Sequence, residues 1–106
     1  MCDPQAREHI EQIARMVLED QVGILEATRA LLPLLHGDPE MVPSADYNLF
    51  RGIDSETDDL PLGKVRGDWN TDALVEKDRE IARCELLWRE QVRAACERIL
   101  RQSSRP

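Results

Sequence analysis

Asp54, Glu56, Asp58 and Asp59 place four carboxylates within six residues, with no Lys or Arg among them. Such a set steers a cationic partner, or coordinates a divalent ion if the fold turns the oxygens inward. Asp54, Glu56 and Asp58 alternate like the first three ligands of a calcium loop, but that loop needs Gly sixth and Glu twelfth. Those positions hold Asp59 and Val65. The calcium reading therefore fails, and weaker Mg²⁺ or Mn²⁺ coordination by Asp54, Glu56 and Asp58 is the metal alternative. Ser55 and Asp58 also have the S-x-x-D spacing of a capping box, in which a hydroxyl and an acid satisfy free N–H groups at a helix start. Capping and ordinary solvation explain the cluster more simply than a metal site does, because charge alone does not make a site.

Other candidate chemistry is sparser. Glu8 and Glu11 form an E-x-x-E pair, and Glu56 and Asp59 an E-x-x-D pair. Together they are similar to the acidic pairs of all-α nucleotide pyrophosphatases, where carboxylates on facing helices hold Mg²⁺ against phosphate. The similarity ends there, because E-x-x-E arises readily on any solvated helix face. His9 and His36 lie in different segments from Cys2, Cys84 and Cys96, and the chain has no G-x-S-x-G, phosphate-binding Gly loop or H-E-x-x-H. Three cysteines without a C-x-x-C pair exclude a zinc framework. Cys84 and Cys96, about 18 Å apart on one helix, are beyond disulfide reach. They read as reduced, which points to a cytoplasmic chain, with Cys84 a small buried hydrophobe.

The elements that must position these groups follow from periodicity. The chain has 106 residues, 42% of them hydrophobic, which suffices for one domain over 1–106. Asp3-Pro4 is a helix start, and Ile10, Ile13, Ala14, Val17 and Leu18 recur with helical spacing to about Asp20. Ile24, Ala27, Thr28, Leu31, Leu32 and Leu35 form a second amphipathic pattern, with Pro33 bending or ending the helix before Gly37. Pro39, Pro43 and Pro61 break the next stretch, so 38–61 reads as an ordered irregular acidic segment. Within it, Ser44 caps a short helix whose Tyr47 and Phe50 rings anchor the loop; another short helix spans Leu62 to Trp69.

Asn70 caps the strongest element, with Trp69 and Leu74 at the positions of a hydrophobic staple. Leu74, Ile81, Cys84, Trp88, Val92, Ala95 and Ile99 line one face of this long helix, and residues 102–106 form a frayed tail. Glu76/Arg79, Glu80/Arg83, Glu85/Arg89, Glu90/Arg93 and Glu97/Arg101 read as solvated pairs along it. Val75, Ala82, Leu86 and Leu100 make a thinner second apolar strip. The middle segment is its expected cover, with a homodimer as the other occupant. The fold class is thus all-α: a small bundle of two amphipathic helices, the acidic segment and a long C-terminal helix.

The charge is unevenly spread. The net charge of −7 divides as −3 over 1–37, −6 over 38–59 and +2 over 60–106. An acidic chain of this kind argues against nucleic acid as a partner, and no apolar run approaches the roughly 20 residues that span a bilayer. Nor does a secretory signal pattern open the chain.

The run Ile53-Asp54-Ser55-Glu56-Thr57-Asp58-Asp59-Leu60-Pro61, followed by Arg66, Trp69 and a long Glu/Arg helix, resembles a segment of small bacterial helical proteins without an assigned activity. The resemblance implies a compact helical bundle and no chemistry. In this run Arg66 lies within reach of the acidic turn if the chain reverses at Leu60-Pro61, so Arg66 forking onto Asp54 or Glu56 is a structural clamp, with Trp69 as a core anchor. The function expected from these features is non-enzymatic: an acidic interaction module of the inhibitor, immunity or antitoxin kind. Asp54, Glu56, Asp58 and Asp59 would meet a basic protein, and Tyr47, Leu49 and Leu62 would supply the desolvated anchor.

Overall fold

Four helices form in chain order, and their apolar stripes explain how they meet. The structure, a computed structural model, describes residues 4–37 and 39–103. They are α1 (Pro4–Leu18), α2 (Ile24–Gly37), α3 (Ser44–Thr57) and α4 (Thr71–Ser103), with a 3₁₀ turn at Pro39–Met41 and 3₁₀ turns over Gly63–Asp68. No strand occurs among the described residues, so the all-α bundle is the fold. The Asp3 cap, Cys2 and tail residues 104–106 lie outside the described residues, while Gln102 and Ser103 are helical rather than frayed.

Each helix contributes its periodic face to one core. Ile10, Ala14 and Val17 of α1, Leu25, Leu31 and Leu35 of α2, Phe50 and Ile53 of α3, and Val92, Ala95, Cys96 and Ile99 of α4 are buried together. The Thr28 and Thr57 hydroxyls are buried too, and each donates to the carbonyl one turn back, Ile24 O at 2.9 Å and Ile53 O at 2.7 Å. No buried side-chain polar atom among the described residues lacks a partner, as a packed interior requires. α2 continues through Pro33 to Gly37 rather than ending there; the ring is exposed, and the residue gives up the backbone bond to the Arg29 carbonyl.

α1 ends in a motif that its sequence conceals. Gln21 N–H donates to Met16 O at 2.8 Å and Asp20 N–H to Val17 O at 3.2 Å, the pattern that closes a helix through a left-handed residue. Asp20 takes that conformation, φ 57°, where glycine is the usual choice. Its carboxylate explains the exception: it accepts from Arg89 at 2.8 Å and Arg93 at 3.1 Å.

The middle segment corrects the sequence reading. Most of 38–61 is α3, 14 residues long, because Asp46, Phe50, Ile53 and Thr57 recur at helical spacing and all four are buried. Ser44 is its first helical residue rather than its side-chain cap; Pro43 stands at the cap position and offers its carbonyl to Asp46 and Tyr47. Ser55 and Asp58 sit at the C-terminal end of α3, so they are no capping box.

α4 begins as its cap implies, with Asp72 N–H bonded to Asn70 Oδ1 at 2.8 Å. Its 33 residues span about 50 Å, matching the 50 Å long axis of the molecule. Only Val92 and residues beyond it are buried; none between 71 and 91 is. Ile81, Cys84 and Trp88 pack half-buried against the core. The middle segment does not cover the second strip: Val75, Ala82 and Leu86 are exposed. Trp69, expected in the core, is 36% exposed. No described helix is long and apolar enough to cross a membrane.

Candidate functional site

The acidic cluster occupies the C-terminal turn of α3 and the turn after it. There the free helix carbonyls are already the negative end of the dipole, so carboxylates raise the local field instead of neutralising it. Two cations answer part of it. Arg29 of α2 donates to Thr57 O and lies 3.9 Å from Asp54 Oδ1; Lys77 of α4 stands 3.6 Å from Asp59. Glu56 and Asp58 are exposed.

Asp54 and Glu56 are two residues apart on a helix and so diverge by about 200°. Among the described residues no group of three or more His, Cys, Asp or Glu is placed to hold a metal ion, so Asp54, Glu56 and Asp58 are not gathered for coordination. Nor are the two acidic pairs. Glu8 and Glu11 are on α1, which packs on α2 and α4, while Glu56 and Asp59 are at the end of α3 on the other side of α2.

The apolar residues assigned to the same surface divide between two places. Leu62 is half-buried and, with Glu26, Arg29 and Ala30, lines a shallow concavity of about 290 Å³ beside the acidic turn. Tyr47 lies ten residues before Thr57, about 15 Å along the helix. Its hydroxyl meets His36 Nδ1 at 2.6 Å, and Arg51 stands 6.0 Å from its ring. Leu49 packs half-buried against the core. Leu62 thus lies beside the acidic turn, while Tyr47 and Leu49 stand on α3 seven residues before Asp54 and Glu56, about 10 Å along the helix.

Arg66 does clamp, but onto a different acid. Its guanidinium donates to Asp78 Oδ1 at 2.7 Å and Oδ2 at 3.1 Å and to Pro61 O at 3.2 Å, tying the Gly63–Asp68 turns to α4 and not to Asp54 or Glu56. That hydrogen-bonded pair holds the Asp78 carboxyl below its usual range and the guanidinium above its own. A lowered carboxyl favours the folded chain above its unfolded pKa, and the contribution is lost as pH falls through the folded value. Arg66→Ala is thus expected to speed amide exchange and protease cleavage within 61–69 several-fold at neutral pH. The difference from the parent should narrow as pH falls below the ordinary carboxylate range, about 4, leaving the part owed to the bond from Arg66 to Pro61 O. Equal cleavage of the two proteins at pH 7 would rule the clamp out.

Sequence reasoning missed a second constellation. Glu85, Arg89 and Arg93 recur every four residues on the flank of the α4 core face, and all three leave their own helix. Glu85 accepts Ile24 N–H and Leu25 N–H, each at 2.8 Å, capping α2 from 60 residues away. Arg93 donates to Val17 O and Leu18 O at 3.1 and 3.2 Å, capping α1. An acid thus meets the positive end of α2 and a base the negative end of α1. Read along one helix, they look like i,i+4 and i,i+3 pairs; their place at the border of the core face was the signal.

The thiols are not activated. Burial first, then the Glu80 charge, raises the pKa of half-buried Cys84, and burial pushes Cys96 up to about 12. Both are thiols at neutral pH, because burial and nearby acids outweigh the Arg83 and Arg93 charges that would favour a thiolate. No protein family, curated protein or solved structure matches the chain.

Proposed function

We propose that the protein is a non-enzymatic interaction module that docks a basic protein surface on the C-terminal end of α3. The observation that carries this reading is the imbalance there: Asp54, Glu56, Asp58 and Asp59 add to the helix dipole, and the ion pairs that oppose them join Arg29 to Asp54 and Lys77 to Asp59. A field of this sign accelerates encounter with a cationic partner, and affinity then needs a desolvated anchor. The Leu62 concavity supplies that anchor beside the acids. Inhibitors, immunity proteins and antitoxins work through surfaces of this kind.

The test compares the parent with the combined Asp54→Asn, Glu56→Gln, Asp58→Asn and Asp59→Asn variant in affinity capture, followed by titration with the captured protein. The expected result is a basic protein retained by the parent, released by added salt, and lost by the variant. Capture unaltered by the variant, or a parent that retains no basic protein, overturns the reading.

A further inference from the structure

The face of α4 turned away from the bundle has no partner among the described residues. Leu86 and Leu87 are 77% and 67% exposed, adjacent, and at the middle of the 33-residue helix. Glu85, Arg89 and Arg93 commit one flank of the helix to the α1–α2 turn. At about 100° per residue the face opposite the core residues Ile81, Trp88, Val92 and Ile99 carries Asp72, Arg83, Leu86, Leu87, Glu90 and Arg101, all exposed.

We propose that this face binds a second copy of the chain, α4 against α4, antiparallel about a two-fold axis passing between Leu86 and Leu87. A two-fold axis there sets Leu86 against the partner's Leu87 and Leu87 against the partner's Leu86. Arg83 and Glu90 are equidistant from the axis, so each Arg83 stands opposite the partner's Glu90. Asp72 and the partner's Arg101 are matched in the same way. Glu76 falls opposite the partner's Glu97, and each has an arginine within one turn of its own helix: Arg79, 3.8 Å from Glu76, and Arg101. A parallel pairing would instead set every charge against its own copy. Because Leu87 is the central residue, the antiparallel register overlaps the two helices along their whole length. It also brings the two acidic chains together at their least acidic part, since 60–106 carries +2 of a total of −7. The pairing leaves the end of α3 out of the contact and does not depend on the binding role assigned to it.

Light scattering on the full chain over a concentration series tests the proposal. The parent should pass from one to two copies as concentration rises. Leu86→Glu and Leu87→Glu, at positions already in water, should keep the helical circular dichroism and remain monomeric. Arg83→Glu and Glu90→Arg should each weaken pairing about tenfold or more, and the double variant should regain it. A parent that is monomeric throughout, a dimer indifferent to Leu86→Glu, or a double variant that does not recover overturns the proposal. The last outcome is what a parallel pairing or a partner of other chemistry would produce.

Discussion

Arg98→Ala is expected to destabilise the fold by about 2 kcal/mol, more than the loss of its partner Asp46. Arg98 Nε donates to Asp46 Oδ2 at 2.8 Å and its Nη2 to Oδ1 at 2.7 Å, a two-bonded fork joining the end of α4 to the first turn of α3. The partners are unequally placed: the Asp46 side chain is 8% exposed and that of Arg98 42%. Removing the arginine strands a carboxylate in a nearly dry position. Breaking a fully buried pair costs about 3–5 kcal/mol; the exposed arginine side admits water and reduces that, and the N-terminal dipole of α3 still favours the anion. Asp46→Ala removes the stranded charge as well and should cost about 1 kcal/mol. Urea unfolding at neutral pH decides the order, with each kcal/mol moving the midpoint about 4–8 °C in the matching thermal experiment. If Asp46→Ala proves the more damaging, the stranded-charge argument is wrong.

Glu85→Ala should destabilise by about 1–2 kcal/mol, the range for losing a helix cap. Two amide donors at the start of α2 would lose their acceptors, and the carboxylate would no longer face the positive end of that helix. Gly23 occupies the local cap position, its carbonyl accepting from Ala27 N–H at 3.0 Å, and it has no side chain to offer. A Cβ there would come within 3.3 Å of Glu85 Oε2, so the glycine and the distant glutamate fit as a pair. Glu85→Gln should lie between parent and alanine. Gly23→Ser should recover part of the loss in the Glu85→Ala background, because a local hydroxyl then takes over the cap. Amide exchange at Ile24 and Leu25 reads the effect directly; if these amides do not exchange faster in Glu85→Ala, the cap carries no weight in the fold.

Both pairs show what is legible along a chain and what is not. The stripe of α1, the start of α2 after Gly23 and the Asn70 cap of α4 are local signals, set by spacing within two or three turns, and the structure contains all three elements. α3 was harder to read. Three prolines border or flank it, and its acids crowd the end where the dipole disfavours them, so local terms argue against a helix that the burial of Phe50, Ile53 and Thr57 stabilises.

By itself the sequence determined the all-α class, three of the four helices, the cap of α4 and the concentration of negative charge in 38–59. Only the tertiary structure decided that Arg66 bonds Asp78, that Glu85 and Arg93 cap other helices, and that Leu86 stays in water while Trp69 is only partly covered. The physical reason is range. Backbone hydrogen bonds and apolar periodicity act over a few residues, whereas the partner of a charged side chain is set by which helices close into the bundle, and several carboxylates compete for each arginine at similar cost.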